Sequence, residues 1–285
     1  MITPADHWQL RTRRLPARGT PLLMGIVNVT PDSFSDGGLF FDPERAIAHG
    51  LELAAQGADI LDVGGESTRP YSQPVDAAEE LRRVAPVVAG LRRQTDLPVS
   101  IDTSKAAVAR EAVDAGAEVI NDITGLTGDP DMLGLAVDSA AGVCVMHMQG
   151  TPQTMQVNPA YDDVLAEVAA YLRQRRDALM AAGIAADHIA LDPGIGFGKS
   201  TEHNVRLMAS AWRLHELGCP VLVGHSRKGF LRKVAGDATA DLAPLTIGAA
   251  LALARQRVHV IRVHDVAAVR HALSLFAACG GLEPM

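Results

Sequence analysis

Aromatic side chains make up only 4% of the 285 residues, so the core must be aliphatic. Abundant Ala, Val, Leu and Gly suit a protein of alternating strands and helices. Cysteine is scarcer still. Cys144, Cys219 and Cys279 cannot all pair with one another, and their spacing is not that of a metal-ligand set. That argues against a disulfide scaffold and reads as reduced cytosolic thiols. Positive charge is in deficit, with 26 Lys and Arg against 33 acidic residues. A net charge of −7 argues against general nucleic-acid binding, so any anionic ligand must meet a local basic cluster. No apolar run is long enough to span a membrane. The N-terminus carries Asp6, His7 and four arginines but no apolar signal-peptide core. A cytoplasmic protein that binds neither membrane nor nucleic acid is expected.

What is present is a rhythm. Short apolar runs at 22–30, 59–65, 98–104, 118–123, 142–148, 189–192, 220–224 and 258–264 read as strands, each followed by a helix candidate. Parallel strands joined by right-handed crossovers follow from that alternation. Eight such units in one chain of this length predict an α/β fold, a (β/α)8 barrel spanning 1–285 as a single domain. An open doubly wound sheet is the runner-up, but the first strand runs into Asn28-Val29-Thr30-Pro31 and carries no dinucleotide fingerprint. Residues 1–20 form an N-terminal extension. Its arginines offer an anion site, while Trp8, Leu10 and Leu15 suit a hairpin capping one end of the barrel. Arg82, Arg83 and Arg93 lie off the apolar stripe of their helix and read as a solvated face. Two late helices, 201–217 and 244–256, each show two apolar faces. Neighbouring helices account for one; a homodimer, or further neighbours, accounts for the other.

Active sites of such barrels lie at the C-terminal strand ends. There the sequence places Asn28, Asp62, Asp102, Asn121, His147, Asp192, Lys228, Arg262 and His264. Alternation puts Arg262 with His264, Ser226 with Lys228, and Asn28 with Thr30 on shared faces. Buried charges are costly unless paired, so these groups either pair inertly with one another or do chemistry. Asn28, Arg69, Arg262 and His264 suit a phosphate-like anion. Asn28 with Asp36 offers hard oxygen ligands for Mg²⁺. Asp102, Asn121, Asp192 and Lys228 offer acceptors and donors for a flat, amino-substituted heterocycle. His147 has no assignment.

Eight stretches carry a resemblance: MGIVNVTPDSFSDGG from Met24, DVGGESTRP from Asp62, SIDTSK from Ser100, INDI from Ile120, VMHMQG from Val145, LDPGIGFGK from Leu191, SRK from Ser226 and RVHDV from Arg262. In order and spacing they resemble the dihydropteroate synthases of the folate pathway. That family of alkyl transferases joins 6-hydroxymethyl-7,8-dihydropterin diphosphate to 4-aminobenzoate, which sulfonamides mimic, and releases diphosphate. The resemblance implies that Asp62, Asp102, Asn121, Asp192 and Lys228 hold the pterin, with Met146 against its ring. Asn28, Arg69, Arg262 and His264 would hold the diphosphate, with Mg²⁺ on Asn28 and Asp36. Thr68, Pro70, Phe197 and Ser226 would line the aminobenzoate pocket. Asp102, Lys228, Asn28, Arg262 and His264 would be the catalytic set, acting on an SN1-like path. Two positions depart from the pattern: Tyr71 stands where the family usually has glycine, and His225 where it has a small or apolar residue. A pterin-binding methyltransferase or a non-catalytic pterin-binding paralogue is the alternative.

Overall fold

The computed structural model describes residues 4–30 and 42–282. Asp36 and most of the loop after the first barrel strand lie outside them. A short antiparallel hairpin, β1 (His7–Gln9) and β2 (Arg14–Pro16), precedes the barrel. The barrel strands are β3 (Leu22–Asn28), β4 (Ile60–Gly64), β5 (Val99–Asp102), β6 (Val119–Asp122), β7 (Gly142–Met146), β8 (Ile189–Asp192), β9 (Leu222–Val223) and β10 (Val260–Val263). All neighbouring pairs are parallel, in the order β8-β7-β6-β5-β4-β3-β10-β9. A bridge between Leu191 and Val221 closes the ring between β8 and β9.

The helices form the outer layer and begin where their sequences cap them. In α1 (Pro43–Ala55), Asp42 accepts from the Glu44 amide and Pro43 occupies the first turn, where its missing N–H costs nothing. In α2 (Ala77–Gln94), Asp76 accepts from Glu79, and in α5 (Val164–Ala181), Asp163 accepts from Leu165. The others are α3 (Ala106–Asp114), α4 (Met132–Ser139), α6 (Thr201–Ala209), α7 (Phe230–Ala235), α8 (Leu242–Arg255) and α9 (Val266–Ala278).

The two-residue period of the strands sorts side chains between two cores. One set packs between sheet and helices. The other fills the lower barrel: Met24, Ile60, Val119, Cys144, Ala190, Leu222 and Val260 join Trp8 and Leu10 of the hairpin. The hairpin is therefore a plug, and Trp8 Nε1 donates to the His188 carbonyl at 3.1 Å. Two residues further along the same inward faces stand Asp62, Asn121, Asp192 and Arg262, above Ile60, Val119, Ala190 and Val260. One period-two pattern thus gives a dry base and a charged mouth.

Two expectations need correction. The stretch 201–217 is not one helix: α6 ends at Ala209, and Ala211–Leu217 continues as a 3-10 helix. Val205 and Trp212 are exposed on it, whereas the apolar residues Leu245, Ile247, Ala249 and Leu251 of α8 pack partly buried against the core. Arg83 is not a solvated residue. It pairs with Glu79 and donates to the Gly65 carbonyl at 2.9 Å, beside the tip of β4.

Candidate active site

A cavity of about 1110 Å³ opens at the C-terminal end of the barrel. Ten residues expected from the sequence line it: Asn28, Thr68, Arg69, Pro70, Asp102, Phe197, Ser226, Lys228, Arg262 and His264. Asp62, Asn121, Met146 and Asp192 form the packed floor beneath, all buried.

The floor is a connected polar network. Arg262 enters from β10 and bridges two carboxylates, with Nε 2.5 Å from Asp62 and an Nη 2.7 Å from Asp102. Asn121 donates to Asp62 at 3.2 Å. Asp62 is wholly enclosed, so it orients Arg262 and Asn121 from behind. Arg262 spends Nε and one Nη on the carboxylates and still lines the cavity. Burial opposes its charge, but Asp62 and Asp102 keep its proton more firmly held than usual. Burial pushes the Asp102 carboxyl up to about 7, against the pull of Arg262. Asp192 is also raised by burial, and the Gly194 amide, donating at 2.7 Å, opposes that.

The loop after β8 is pinned at many of its polar backbone groups. Asp192 takes the Gly194 amide, and Asn204 of α6 takes the Gly196 amide at 2.7 Å. Gln156 donates to the Gly196 carbonyl at 2.7 Å, Tyr161 to that of Gly198 at 2.8 Å, and Lys228 to that of Ile195. Glycine is required where this loop lies on its neighbour. A Cβ at Gly194 (φ +68°) would stand 1.9 Å from the His147 carbonyl oxygen, and one at Gly198 (φ +63°) 2.4 Å from that of Gln149. The loop carries Phe197, whose ring centroid lies 4.6 Å from Lys228 Nζ. Burial lowers the Lys228 ammonium to about 8, and Asp192 works to raise it.

The seventh loop differs from its sequence reading. β9 is only two residues long, so strand alternation does not extend to Ser226 and Lys228. A turn with Arg227 at φ +55° brings both to the cavity instead. Ser226 Oγ meets His264 Nδ1 at 3.0 Å. Burial, with Arg262 and Arg227 nearby, holds His264 at about 3, so its imidazole is neutral at neutral pH. His225 is buried and pairs with the Thr246 carbonyl at 2.9 Å, away from the cavity as expected. Tyr71 is 66% exposed and does not line the cavity, but it adopts φ +66°, a conformation that favours glycine.

Sequence reasoning missed the supports. Lys199, Asn204 and Gln156 all line the cavity. Lys105 of the SIDTSK stretch reaches Glu66 and Glu80, the latter fully buried. Only the conjunction of loops reveals them, since none lies at a strand tip. Among the described residues no group of three or more His, Cys, Asp or Glu is arranged to hold a metal. No helix of the described residues is long and apolar enough to cross a membrane.

Residues 24–264 match the family described as pterin binding enzyme. The chain is 43% identical over 258 residues to the dihydropteroate synthase of Haemophilus influenzae, covering 90% of this chain and 94% of that protein. The solved structure of Xanthomonas albilineans dihydropteroate synthase with 4-aminobenzoic acid is similar at a TM-score of 0.89 and 46% identity, covering 96% of this chain and 98% of that one. The same enzyme in complex with 7,8-dihydropteroate is similar at a TM-score of 0.85 and 44% identity, over the same shares of the two chains. With carboxylates, amide and lysine gathered in one barrel mouth, and with relatives matched over nearly their whole length, the chain belongs to the dihydropteroate synthases of the pterin binding enzyme family.

Proposed function

We propose that this protein condenses 6-hydroxymethyl-7,8-dihydropterin diphosphate with 4-aminobenzoate, giving 7,8-dihydropteroate and diphosphate. The observation that carries this reading is a single cavity that joins a carboxylate and amide floor to a basic, aromatic-bearing wall. Asp102, Asp192 and Asn121 present acceptors and donors to the ring N–H and amino groups of a pterin, and Lys228 donates to its carbonyl. Met146, buried beside Asp192 in register, supports the ring from below. Arg69, exposed at the rim, and neutral His264 receive the diphosphate, with Asn28 beside them.

The bond to break joins the pterin methylene to the diphosphate oxygen. The dihydropterin ring delocalises positive charge at that carbon, which supports departure of diphosphate before attack by the aniline nitrogen. Asp102 then stabilises the cationic ring, and the basic wall stabilises the leaving group. Arg262 couples the two sides, because it rests on Asp62 and Asp102 while facing the cavity. Thr68, Pro70, Phe197 and Ser226 hold the aminobenzoate. The aniline needs no strong base, which fits a site without a nucleophile–His–carboxylate arrangement among the described residues.

Mg²⁺ fits the donor set. The carboxamide of Asn28 offers one hard oxygen at the cavity wall. A cation held mainly by diphosphate oxygens and water needs few protein ligands. Asp36, the second expected ligand, lies outside the described residues. Mg²⁺ bound there would neutralise charge on the leaving diphosphate. The exposed Val205 and Trp212 support a homodimer through 201–217, with α8 beside it; the free thiol of exposed Cys279 supports a reducing compartment, the cytoplasm. Tyr71, turned outward, gives no support to a non-catalytic paralogue.

The test is synthesis itself. Dihydropteroate is expected only when both substrates and Mg²⁺ are supplied. Tight pterin binding with no product under these conditions would overturn the enzymatic reading.

A further inference from the structure

Lys199 is an unusual lysine. It is 2% exposed, and among the described residues it is paired with no carboxylate. Its ammonium instead has three acceptors: His147 Nδ1 at 3.0 Å, the Phe197 carbonyl at 2.9 Å and the His147 carbonyl at 3.3 Å. Three N–H donors thus meet three acceptors on two segments, the tip of β7 and the loop after β8. A bond to His147 Nδ1 leaves the imidazole proton on Nε2. Tyr171 and Tyr161 pack against that ring, at centroid distances of 5.0 and 6.0 Å. Burying an ammonium costs free energy unless its donors are satisfied, and here the tip of β7 and the loop after β8 supply the acceptors.

We propose that Lys199, set on His147, is a positioning residue for the aminobenzoate half of the reaction, fixing the Phe197 backbone so that its ring stays over Lys228. The inference rests on the reading of the site given above. The geometry separates two attachments of one loop. Asp192 belongs to β8 and takes its hydrogen bond from the Gly194 amide, so Lys199 acts on it through charge alone and does not set its position. Phe197 lies at the far end, where its carbonyl has Lys199 as partner. Burial lowers the Lys199 ammonium to about 7, with Asp192 working against the fall. The Tyr161 hydroxyl, donating to Gly198, supports the same end of the loop.

The test uses Lys199→Met and the milder Tyr161→Phe, with folding checked by thermal melting. Removing hydrogen bonds to an ammonium is expected to raise KM for 4-aminobenzoate about tenfold in Lys199→Met, and about threefold in Tyr161→Phe. The dissociation constant for the pterin diphosphate alone, titrated without aminobenzoate, stays within about twofold by the same reasoning. A crystal structure of Lys199→Met should show the Phe197 ring displaced from Lys228 with Asp192 unmoved, which needs no turnover to read. Parallel loss of both affinities, an unchanged aminobenzoate KM in folded variants, or an undisturbed Phe197 would overturn the proposal. Wild-type turnover in the same series reports separately on the enzymatic reading.

Discussion

Two loops face each other across the cavity and are built on opposite principles. The loop after β8 places glycine at each of its positive-φ positions, 194, 196 and 198, and its polar backbone groups are tied to five surrounding side chains: those of Asp192, Asn204, Gln156, Tyr161 and Lys228. The loop after β4 spends its one positive φ between 66 and 74 on Tyr71. Beyond the ion pair of Glu66 with Lys105 at its start, it is tied to the rest of the protein by the Tyr71 amide to the Pro152 carbonyl at 3.2 Å and by Gln153 to the Ser72 carbonyl at 3.3 Å, while Ser72 bonds within the loop to the Arg69 and Ser67 carbonyls. Thr68 is half-buried, and Arg69 and Pro70 are exposed. The difference teaches a division of labour. The pterin side is built in advance on strands and a pinned loop, whereas the second substrate meets a wall that one segment holds and another leaves adjustable.

The largest effect should come from spoiling the pinned loop. Gly194→Ala puts a carbon into the His147 carbonyl, so the loop must lift and carry Gly194 away from Asp192. We expect a loss of about 3–4 kcal/mol in stability, read by denaturant unfolding, because the clash is with backbone. Unchanged stability would mean that the loop is as adjustable as its opposite number.

A smaller effect separates the floor from the wall by pH. Asp102 accepts most strongly from the pterin when ionised, above about 7, and Lys228 donates most strongly when protonated, below about 8. Pterin affinity should therefore rise as pH increases through about 7 and fall as it passes about 8. Asp102→Asn should abolish the acid limb and lower the rate about 10²–10³-fold. A flat profile in the wild type would remove Asp102 and Lys228 from pterin recognition. The smallest effect is expected at Tyr71. Tyr71→Gly relieves a left-handed residue but adds chain entropy, for a net gain under about 1 kcal/mol. Its aminobenzoate KM should shift less than about twofold, since the Tyr71 side chain faces solvent. A large KM change would show that this side chain governs the wall.

Much of this was legible in the sequence, because the barrel needs only a repeating rhythm and period-two faces. Asp62, Asn121, Asp192 and Arg262 stand where alternation puts them, two residues above an apolar layer. What could not be read depends on contacts between distant loops. Arg262 belongs to the carboxylates as well as to the cavity, and only the closure of the ring brings β10 opposite Asp102. His147 and Lys199 are 52 residues apart, and neither signals the other. Ser226 and Lys228 reached the right cavity for a reason other than alternation, a positive-φ turn at Arg227. The break at Ser210 in the stretch 201–217 leaves no mark in an apolar pattern that continues across it.

The division of labour is tested most directly by following diphosphate release from the pterin diphosphate and Mg²⁺ with no 4-aminobenzoate present. If the fixed floor alone stabilises the cationic ring left behind, slow release occurs without the second substrate and is lost in Asp102→Asn. Release strictly dependent on 4-aminobenzoate would contradict that account and make bond breaking the joint work of both sides of the cavity.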